Sequence, residues 1–480
     1  MKKDILLIMS DQHSWYYTGF ADPRLDTPEL SRIAGDGLLF ERCYCNAPLC
    51  VPSRMSFLTG LMPSGLGIFN NDSALPGDMP TIAHELGALG YETVLVGRMH
   101  FKGDDQNHGF DRHLCGDITS QYWGTGGKER RDFGSYAGTT NRLHCLEAIG
   151  GGCSPVMLYD DMVLKRAMEF LEERQEKKKS RPLFLVVGFY SPHFPFVCKE
   201  ELYNKYEKRF TIEECYAASK ENPLPFYKNY TQVSTAQQMK HARAAYSGLV
   251  EQLDGYIGAL YDRFKKISSH RPYLFVYTSD HGEQLGRRNI YGKQTLYEDA
   301  VRVPLVITGT DIKAGIRKDS VSLLDVSKTI LSAAGENRSA NQWHQGRVID
   351  LNKQSDAPHW ISIQQLLQYR DRKLLAEAAV YGKYKVLRAD DNWYIYDLEN
   401  DPSEQHNLLE PRSETKAEHL IKQAVENGCF IGVQQHKILI QKEEERISRQ
   451  ERLKVWGKAK KPAEWGTVKI LPDSIVEPTE

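Results

Sequence analysis

At 480 residues, 41% hydrophobic and 26% charged, the chain is long enough to bury a large core and ordinary in composition for a globular protein. Lysine and arginine number 62 against 63 acidic residues, a formal net charge of -1. That balance excludes a general electrostatic attraction to nucleic acid or to an anionic membrane, so any anion site must be local.

The apolar run Ile5–Met9 is too short for a signal-peptide core, and no stretch is long enough to span a bilayer. The expectation is a cytoplasmic protein with no membrane or nucleic-acid partner. Nine cysteines, odd in number and irregular in spacing, fit free thiols in a reducing compartment.

Ile5–Ser10 reads as a buried parallel strand ending in Asp11-Gln12-His13. Functional residues in open α/β sheets gather at the carboxyl ends of strands, which makes Asp11, with Gln12 beside it, a metal-ligand candidate. A helix or turn cap is the plain alternative for such an aspartate. Thr27-Pro28-Glu29 opens a helix to about Ala34, and Leu38–Cys43 is a second strand. Cys50-Val51-Pro52-Ser53-Arg54 starts a helix, with Pro52 suited to its first turn. Cys50 then sits where unpaired N–H groups favour negative charge, and Arg54 adds a fixed cation. This reads as an anion site holding a potential nucleophile; a buried structural cysteine is the alternative.

Gly65–Asp72 is a turn-rich loop, a helix runs from Met79-Pro80-Thr81 to Gly90, and the strand Glu92–Val96 delivers Gly97-Arg98-Met99-His100. Arg98 and His100, two apart at a strand end, can point the same way. Asp111–Pro155, with Tyr122 and Trp123, is an irregular insertion expected near the site. Leu158–Glu173 is helical, and Leu183–Phe189 is a central strand leading to His193 between two prolines. Lys199–Thr231 reads as another insertion. Ser234–Phe264 is one long helix with Ala242, Ala245, Leu249, Leu253, Ile257 and Leu260 on one buried face. Tyr273–Thr278 is a strand ending in Ser279-Asp280-His281-Gly282-Glu283, where Asp280 and His281, with a glycine allowing a tight turn, suit a divalent cation, and Lys293 follows. The composition then shifts to short antiparallel strands over Lys373–Val380, Tyr384–Leu387 and Trp393–Leu398. Helices follow over Ala417–Asn427 and Gln434–Lys454, the second carrying the run Lys442–Arg452, expected to be a solvated face.

The string Cys-x-Pro-Ser-Arg, followed by Leu-Thr-Gly, resembles the signature of the type I sulfatases of the alkaline-phosphatase superfamily. In that family the cysteine is oxidised after translation to formylglycine, whose hydrate is the nucleophile. Asp11-Gln12, Gly97-Arg98-Met99-His100, Asp280-His281-Gly282 and Tyr297–Pro304 are similar to further family motifs, and the resemblance runs from Asp11 to Leu408. Arg98 stands where the family usually has lysine. Gly-x-Met-His-Phe with Asp104–Phe110 is more similar to the choline-sulfatase branch than to the secreted arylsulfatases.

The resemblance implies an α/β fold: a large mixed, mostly parallel sheet sandwiched by helices over residues 1–370, and a smaller α+β subdomain over 371–480. It implies that Asp11, Gln12, Asp280 and His281, with the modified Cys50, hold a divalent metal, calcium first, with manganese and magnesium open. Arg54 would orient the formylglycine hydrate, and Arg98 and Lys293 would grip the sulfate. His193 with Lys293 would assist the leaving alcohol, and His100 would take the proton that frees inorganic sulfate. Asn71, Tyr122 and Trp123 are pocket candidates. The implied partners are a small-molecule or saccharide sulfate ester, a maturation enzyme that oxidises Cys50, and a second copy of the chain in a homo-oligomer. Choline as the alcohol is not supported, because the choline enzymes carry aspartate where this chain has Asn70. Two other readings stand: a phosphonate monoester or phosphodiester hydrolase, whose relatives use similar Asp-Gln and Asp-His pairs, and a binding protein without activity should Cys50 stay a thiol.

Overall fold

The computed structural model describes residues 2–119, 142–176, 181–335, 343–353, 355–409 and 414–459. In chain order the strands of its larger part are β1 (Asp4–Asp11), β2 (Leu38–Tyr44), β3 (Glu92–Gly97), β4 (Arg112–His113), β5 (Ile149–Gly151), β6 (Leu183–Pro192), β7 (Phe196–Cys198), β8 (Tyr273–Ser279), β9 (Arg302–Gly309) and β10 (Gly315–Ser322). Eight form one sheet in the order β10-β2-β9-β8-β1-β6-β3-β4, and β5 and β7 form a small parallel ribbon. Only β9 runs against its neighbours in the large sheet, which is the mixed, mostly parallel sheet expected.

β1 is buried at every position because β6 and β8 flank it and helices cover both faces. Side chains alternate across a strand, so Ile5, Leu7 and Met9 enter one apolar cluster and Leu6 and Ile8 another. The first cluster takes Val51, Met55 and Leu58 from the helix Cys50–Thr59. The second takes Leu253, Ile257, Leu260 and Phe264 from the helix Ala236–Ile267, and Val163, Ala167 and Phe170 from the helix Pro155–Glu176. Gly60 ends the Cys50 helix in the left-handed conformation at φ 74°, with the His344 ring where a Cβ would fall.

The parallel register decides where the chain exits. Ser10 of β1 pairs with Ser279 of β8, Asp11 with Pro192 of β6, and Gly97 of β3 with Gly188 of β6. Four strands therefore end on one edge of the sheet, and the residues just after them meet there. β2 points the same way and leads to Cys50.

Lys199–Thr231 carries helices of its own. Helices Glu200–Glu207 and Ile212–Ser219 both pack on the helix Ala236–Ile267. The C-terminal sheet has four strands, β11 (Ile361–Tyr369), β12 (Arg372–Tyr381), β13 (Tyr384–Ala389) and β14 (Asn392–Asp397), paired antiparallel in that order. β11 was not expected. Its buried Gln364 and Gln365 break the apolar alternation, and both are satisfied: Gln364 accepts from Ser64 N at 3.0 Å and Gln365 from Tyr227 Oη at 2.7 Å. This sheet shares the first apolar cluster through Ile363, Leu367, Leu374 and Ala378, so one core crosses residue 370. Buried Lys385 ties the parts together, 3.1 Å from Glu298 and 2.9 Å from Glu404. Among the described residues no helix is long and apolar enough to cross a membrane.

His13, just past β1, is buried without a charged partner. Its Nε2–H donates to the Tyr17 carbonyl at 2.9 Å, and its Nδ1 accepts from Tyr277 Oη at 2.6 Å. Burial pulls its pKa down to about 4. The unfolded chain binds that proton near pH 6.5. The stability His13 contributes is thus complete above about 6.5 and is lost as pH falls toward 4, an upper bound of about 3 kcal/mol. Urea midpoints measured from pH 7 to 4.5 are expected to fall more steeply in the wild type than in His13→Gln, which starts lower at pH 7. Equal slopes would remove His13 as the cause.

Candidate active site

The sheet edge gathers residues from six segments. Asp11 ends β1 and Gln12 follows it, Cys50 and Arg54 lie on the first turns of their helix, and Arg98 and His100 follow β3. His193 follows β6, Asp280, His281 and Glu283 follow β8, and Lys293 lies in the next loop. Gln12 at φ 71° and His100 at φ 62° hold left-handed backbone that non-glycine residues seldom adopt, a strain that clusters at working sites.

At the centre two aspartates meet two arginines. Arg98 Nε donates to Asp11 Oδ2 at 2.6 Å, and Arg54 Nη2 to the same oxygen at 3.2 Å. Arg54 Nε donates to Asp280 Oδ2 at 2.8 Å. Asp280 Oδ1 accepts from the backbone N–H of Gln12 at 3.0 Å and of His281 at 2.9 Å. Burial pushes Asp11 up, but Arg98, His193, Arg54 and Lys293 together hold its carboxyl well below the usual range. It is charged at neutral pH, with Oδ1 facing inward.

That oxygen is 3.6 Å from Cys50 Sγ and 3.7 Å from His281 Nε2, and Sγ lies 3.2 Å from the same nitrogen. One ligand atom each from Asp11, Cys50, Asp280 and His281 fall within 4.8 Å of one another. His281 Nδ1–H donates to the Gly282 carbonyl at 3.0 Å, which leaves the Nε2 lone pair aimed into the cluster. Burial pulls His281 below its usual pKa, with Asp280 opposing, so the ring is neutral as a ligand must be. Two carboxylates and a neutral imidazole converging on one point fit a divalent cation. Burial and Asp11 push the Cys50 thiol up to about 11, so the unmodified side chain is a protonated thiol.

Gln12 is held by its side chain as well. Nε2 donates to Glu283, and Oε1 accepts from Lys293 Nζ at 2.5 Å. Glu283 is itself fixed by the N–H groups of Leu285 at 2.7 Å and Gly292 at 2.5 Å. Lys293 Nζ also donates to His193 Nε2 at 2.6 Å, while His193 Nδ1–H donates to the Phe194 carbonyl at 2.8 Å. Burial and the Lys293 charge pull His193 well below its usual pKa.

Arg98, expected to grip the sulfate, is also held within the protein. Besides Asp11, it donates to Asp117 Oδ1 at 2.7 Å, Thr119 Oγ1 at 3.1 Å and His100 Nδ1 at 2.8 Å. Four of its five N–H groups are thus engaged within the protein, a reach the arginine fork has and a lysine lacks. With Nδ1 accepting, the neutral His100 ring carries its proton on Nε2, which makes that atom a donor in this state. Burial and Arg98 pull His100 well below its usual pKa.

Asn71 Oδ1 accepts from Val51 N at 3.0 Å, beside Cys50. Tyr122 and Trp123 lie outside the described residues. Asp117 and Glu283 escaped the reading of the sequence. Asp117 sits in a stretch without periodicity, and Glu283 was legible only as the tail of the Asp-His-Gly motif.

Residues 3–336 match the family model "Sulfatase", and residues 286–428 match "N-sulphoglucosamine sulphohydrolase, C-terminal". The chain is 30% identical over 437 residues to the choline-sulfatase of Rhizobium meliloti (strain 1021), covering 85% of this chain and 83% of that protein. It is 27% identical over 389 residues to the multifunctional alkaline phosphatase superfamily protein PehA of Trinickia caryophylli, covering 70% and 74%. The solved phosphonate monoester hydrolase SpPMH from Silicibacter pomeroyi shares the fold, with a TM-score of 0.68 at 20% identity over 88% of this chain and 95% of that one. Fold and family matches together define a hydrolase of the alkaline-phosphatase superfamily. Within it, the chain belongs to the sulfatase family, the sulfuric ester hydrolases.

Asp117 is buried and holds both Arg98 and, through Oδ2, the backbone N–H of His100 at 3.0 Å. Asp117→Ala leaves a buried arginine short of a partner and is expected to cost about 3–5 kcal/mol, read as a lower urea midpoint. A loss under about 0.5 kcal/mol would show that Arg98 does not depend on it.

Proposed function

We propose that the protein hydrolyses a sulfate ester to an alcohol and inorganic sulfate, using a formylglycine made from Cys50 and a divalent cation. The observation that carries this reading is the convergence of Asp11, Asp280 and His281 on Cys50 at a helix N-terminus, with Arg54 one turn away. Asp11, Gln12, Asp280 and His281 would hold the cation, and their oxygen-rich set favours calcium over manganese or magnesium. Cation and aldehyde hydrate would supply charge neutralisation on the sulfuryl oxygens and a regenerable oxygen nucleophile.

The chain's own residues do the rest. Arg54 neutralises both aspartates and keeps Asp11 Oδ1 turned inward. Lys293 and the one uncommitted N–H of Arg98 bind the ester's anionic oxygens, and His100 Nε2–H donates to the same group. The Lys293 ammonium, held by its hydrogen bond to His193 Nε2, gives a proton to the leaving oxygen and becomes the neutral amine. Asn71 lines the pocket. A maturation enzyme for Cys50 is implied, and nine free cysteines fit a cytoplasmic setting.

The Asp11-Gln12 and Asp280-His281 pairs favour a second reading, a phosphonate monoester or phosphodiester hydrolase, since those relatives use similar pairs. Peptide mass spectrometry of position 50, with turnover of an aryl sulfate and an aryl phosphonate monoester, separates the readings. Conversion of Cys50 and higher kcat/KM on the sulfate are expected, and Cys50→Ala should lower kcat/KM by about 10³–10⁶-fold. Preference for the phosphonate would replace the sulfatase reading, and an intact thiol without turnover would sink both.

The His193–Lys293 pair has its own signature. A leaving group that is already a good one needs little proton transfer. His193→Ala is expected to slow an alkyl sulfate by about 10²–10⁴-fold but a nitrophenyl sulfate by less than about tenfold. Equal losses on both would show that His193 acts in binding instead.

A further inference from the structure

Helix Val433–Ala459 lies past residue 428, where the second family match ends. Its charge run is not wholly solvated: Glu443 is 3% exposed and Gln450 6%. Seven residues apart, they lie two turns along one face. Both reach the loop Asn70–Asp72. Glu443 Oε1 accepts from Asn70 Nδ2 at 2.6 Å, and Gln450 Nε2 donates to the Asp72 carbonyl at 2.8 Å. Arg446, one turn on, donates to the other Glu443 oxygen.

Asn70 Oδ1 is engaged within the loop, accepting from Asp72 N at 2.8 Å and Ser73 Oγ at 3.1 Å. Its amide is therefore fixed with Nδ2 toward the carboxylate. Asn71, between the two anchored residues, accepts at Oδ1 from the Val51 N–H. That bond satisfies a first-turn N–H of the Cys50 helix, whose own N-cap residue Leu49 has no capping side chain. Asn71 Nδ2 then has no acceptor among the described residues and is left as a donor next to Cys50.

We propose that Glu443 is a positioning residue for substrate binding: through Asn70, and with Gln450 holding Asp72, the C-terminal helix fixes Asn71 so that its amide N–H₂ meets the anionic ester beside Cys50. The proposal rests on the ester-hydrolase reading above. It makes the helix a wall of the active site and gives a buried carboxylate far from the reacting atoms a role in affinity.

The test compares Glu443→Ala, Glu443→Gln and Gln450→Ala for KM, kcat, formylglycine content and amide hydrogen exchange. In Glu443→Ala, KM for an aryl sulfate should rise by about 5- to 20-fold while kcat stays within about twofold. Exchange at the Val51 and Asp72 amides should be about tenfold faster or more. Glu443→Gln keeps an acceptor for Asn70 and should return KM to within about threefold of wild type. Gln450→Ala, the milder variant should Glu443→Ala fail to fold, should raise KM by about two- to fivefold. Unchanged KM and unchanged exchange would overturn the proposal, as would a loss of kcat that tracks lost formylglycine. Absence of any ester turnover in the wild type would fail the hydrolase reading alone, and the exchange rates at Val51 and Asp72 would still decide whether Glu443 positions the loop.

Discussion

The site depends on a buried set of opposed charges. Asp11, Asp117 and Asp280 meet Arg54, Arg98 and Lys293 where almost no water reaches. A single such charge in a dry interior would cost several kcal/mol, and the arrangement holds only because each group has partners. Those partners come from distant parts of the chain: Arg54 binds Asp280 from 226 residues away, and Lys293 binds Gln12 from 281. Electrostatics thus demands that the carboxyl ends of β1, β3 and β8 and the start of the Cys50 helix lie together. The same pairings leave two acceptor atoms, Asp11 Oδ1 and His281 Nε2, turned toward the Cys50 thiol.

The sheet makes that meeting possible. Parallel strands in register end at one level, so a residue immediately past β1 is a neighbour of residues just past β6 and β8. The lone antiparallel strand β9 lies between β8 and β2 and leaves those two pointing the same way, which brings the cysteine helix to the same edge. Fold and chemistry are joined at this level: the apolar alternation of β1 fills two cores and also carries Asp11 to its place.

Much of this was legible in the amino-acid order. Buried parallel strands announce themselves as short apolar runs, and the polar residues that follow them become candidates by position alone. Cys50 with Pro52 and Arg54 marked the helix start. What stayed hidden depended on partners that no local pattern records. Asp117 lies in an aperiodic stretch, and only the folded chain shows that it grips Arg98. β11 buries two glutamines, so its alternation reads as polar. The tautomer of His100 follows from a neighbour two residues back bending its guanidinium onto the ring. In the same way, one buried carboxylate in a highly charged helix looks like every other glutamate in that run until the loop it faces is known.

The burial of Cys50 has a consequence in time. The thiol is 1% exposed and is enclosed in part by His281, whose ring nitrogen lies 3.2 Å away across 231 residues of chain. During synthesis the cysteine emerges long before the strand that seals it. At about 5–20 residues per second, β8 follows some 10–50 s later. Under the proposed conversion, an oxidising enzyme that needs access to this side chain would have that interval on the growing polypeptide, and a chain that completed its sheet unmodified would shut its thiol inside. On the proposed conversion of Cys50, the fraction of competent molecules would be set by a race between elongation and modification, decided before the protein has its final shape.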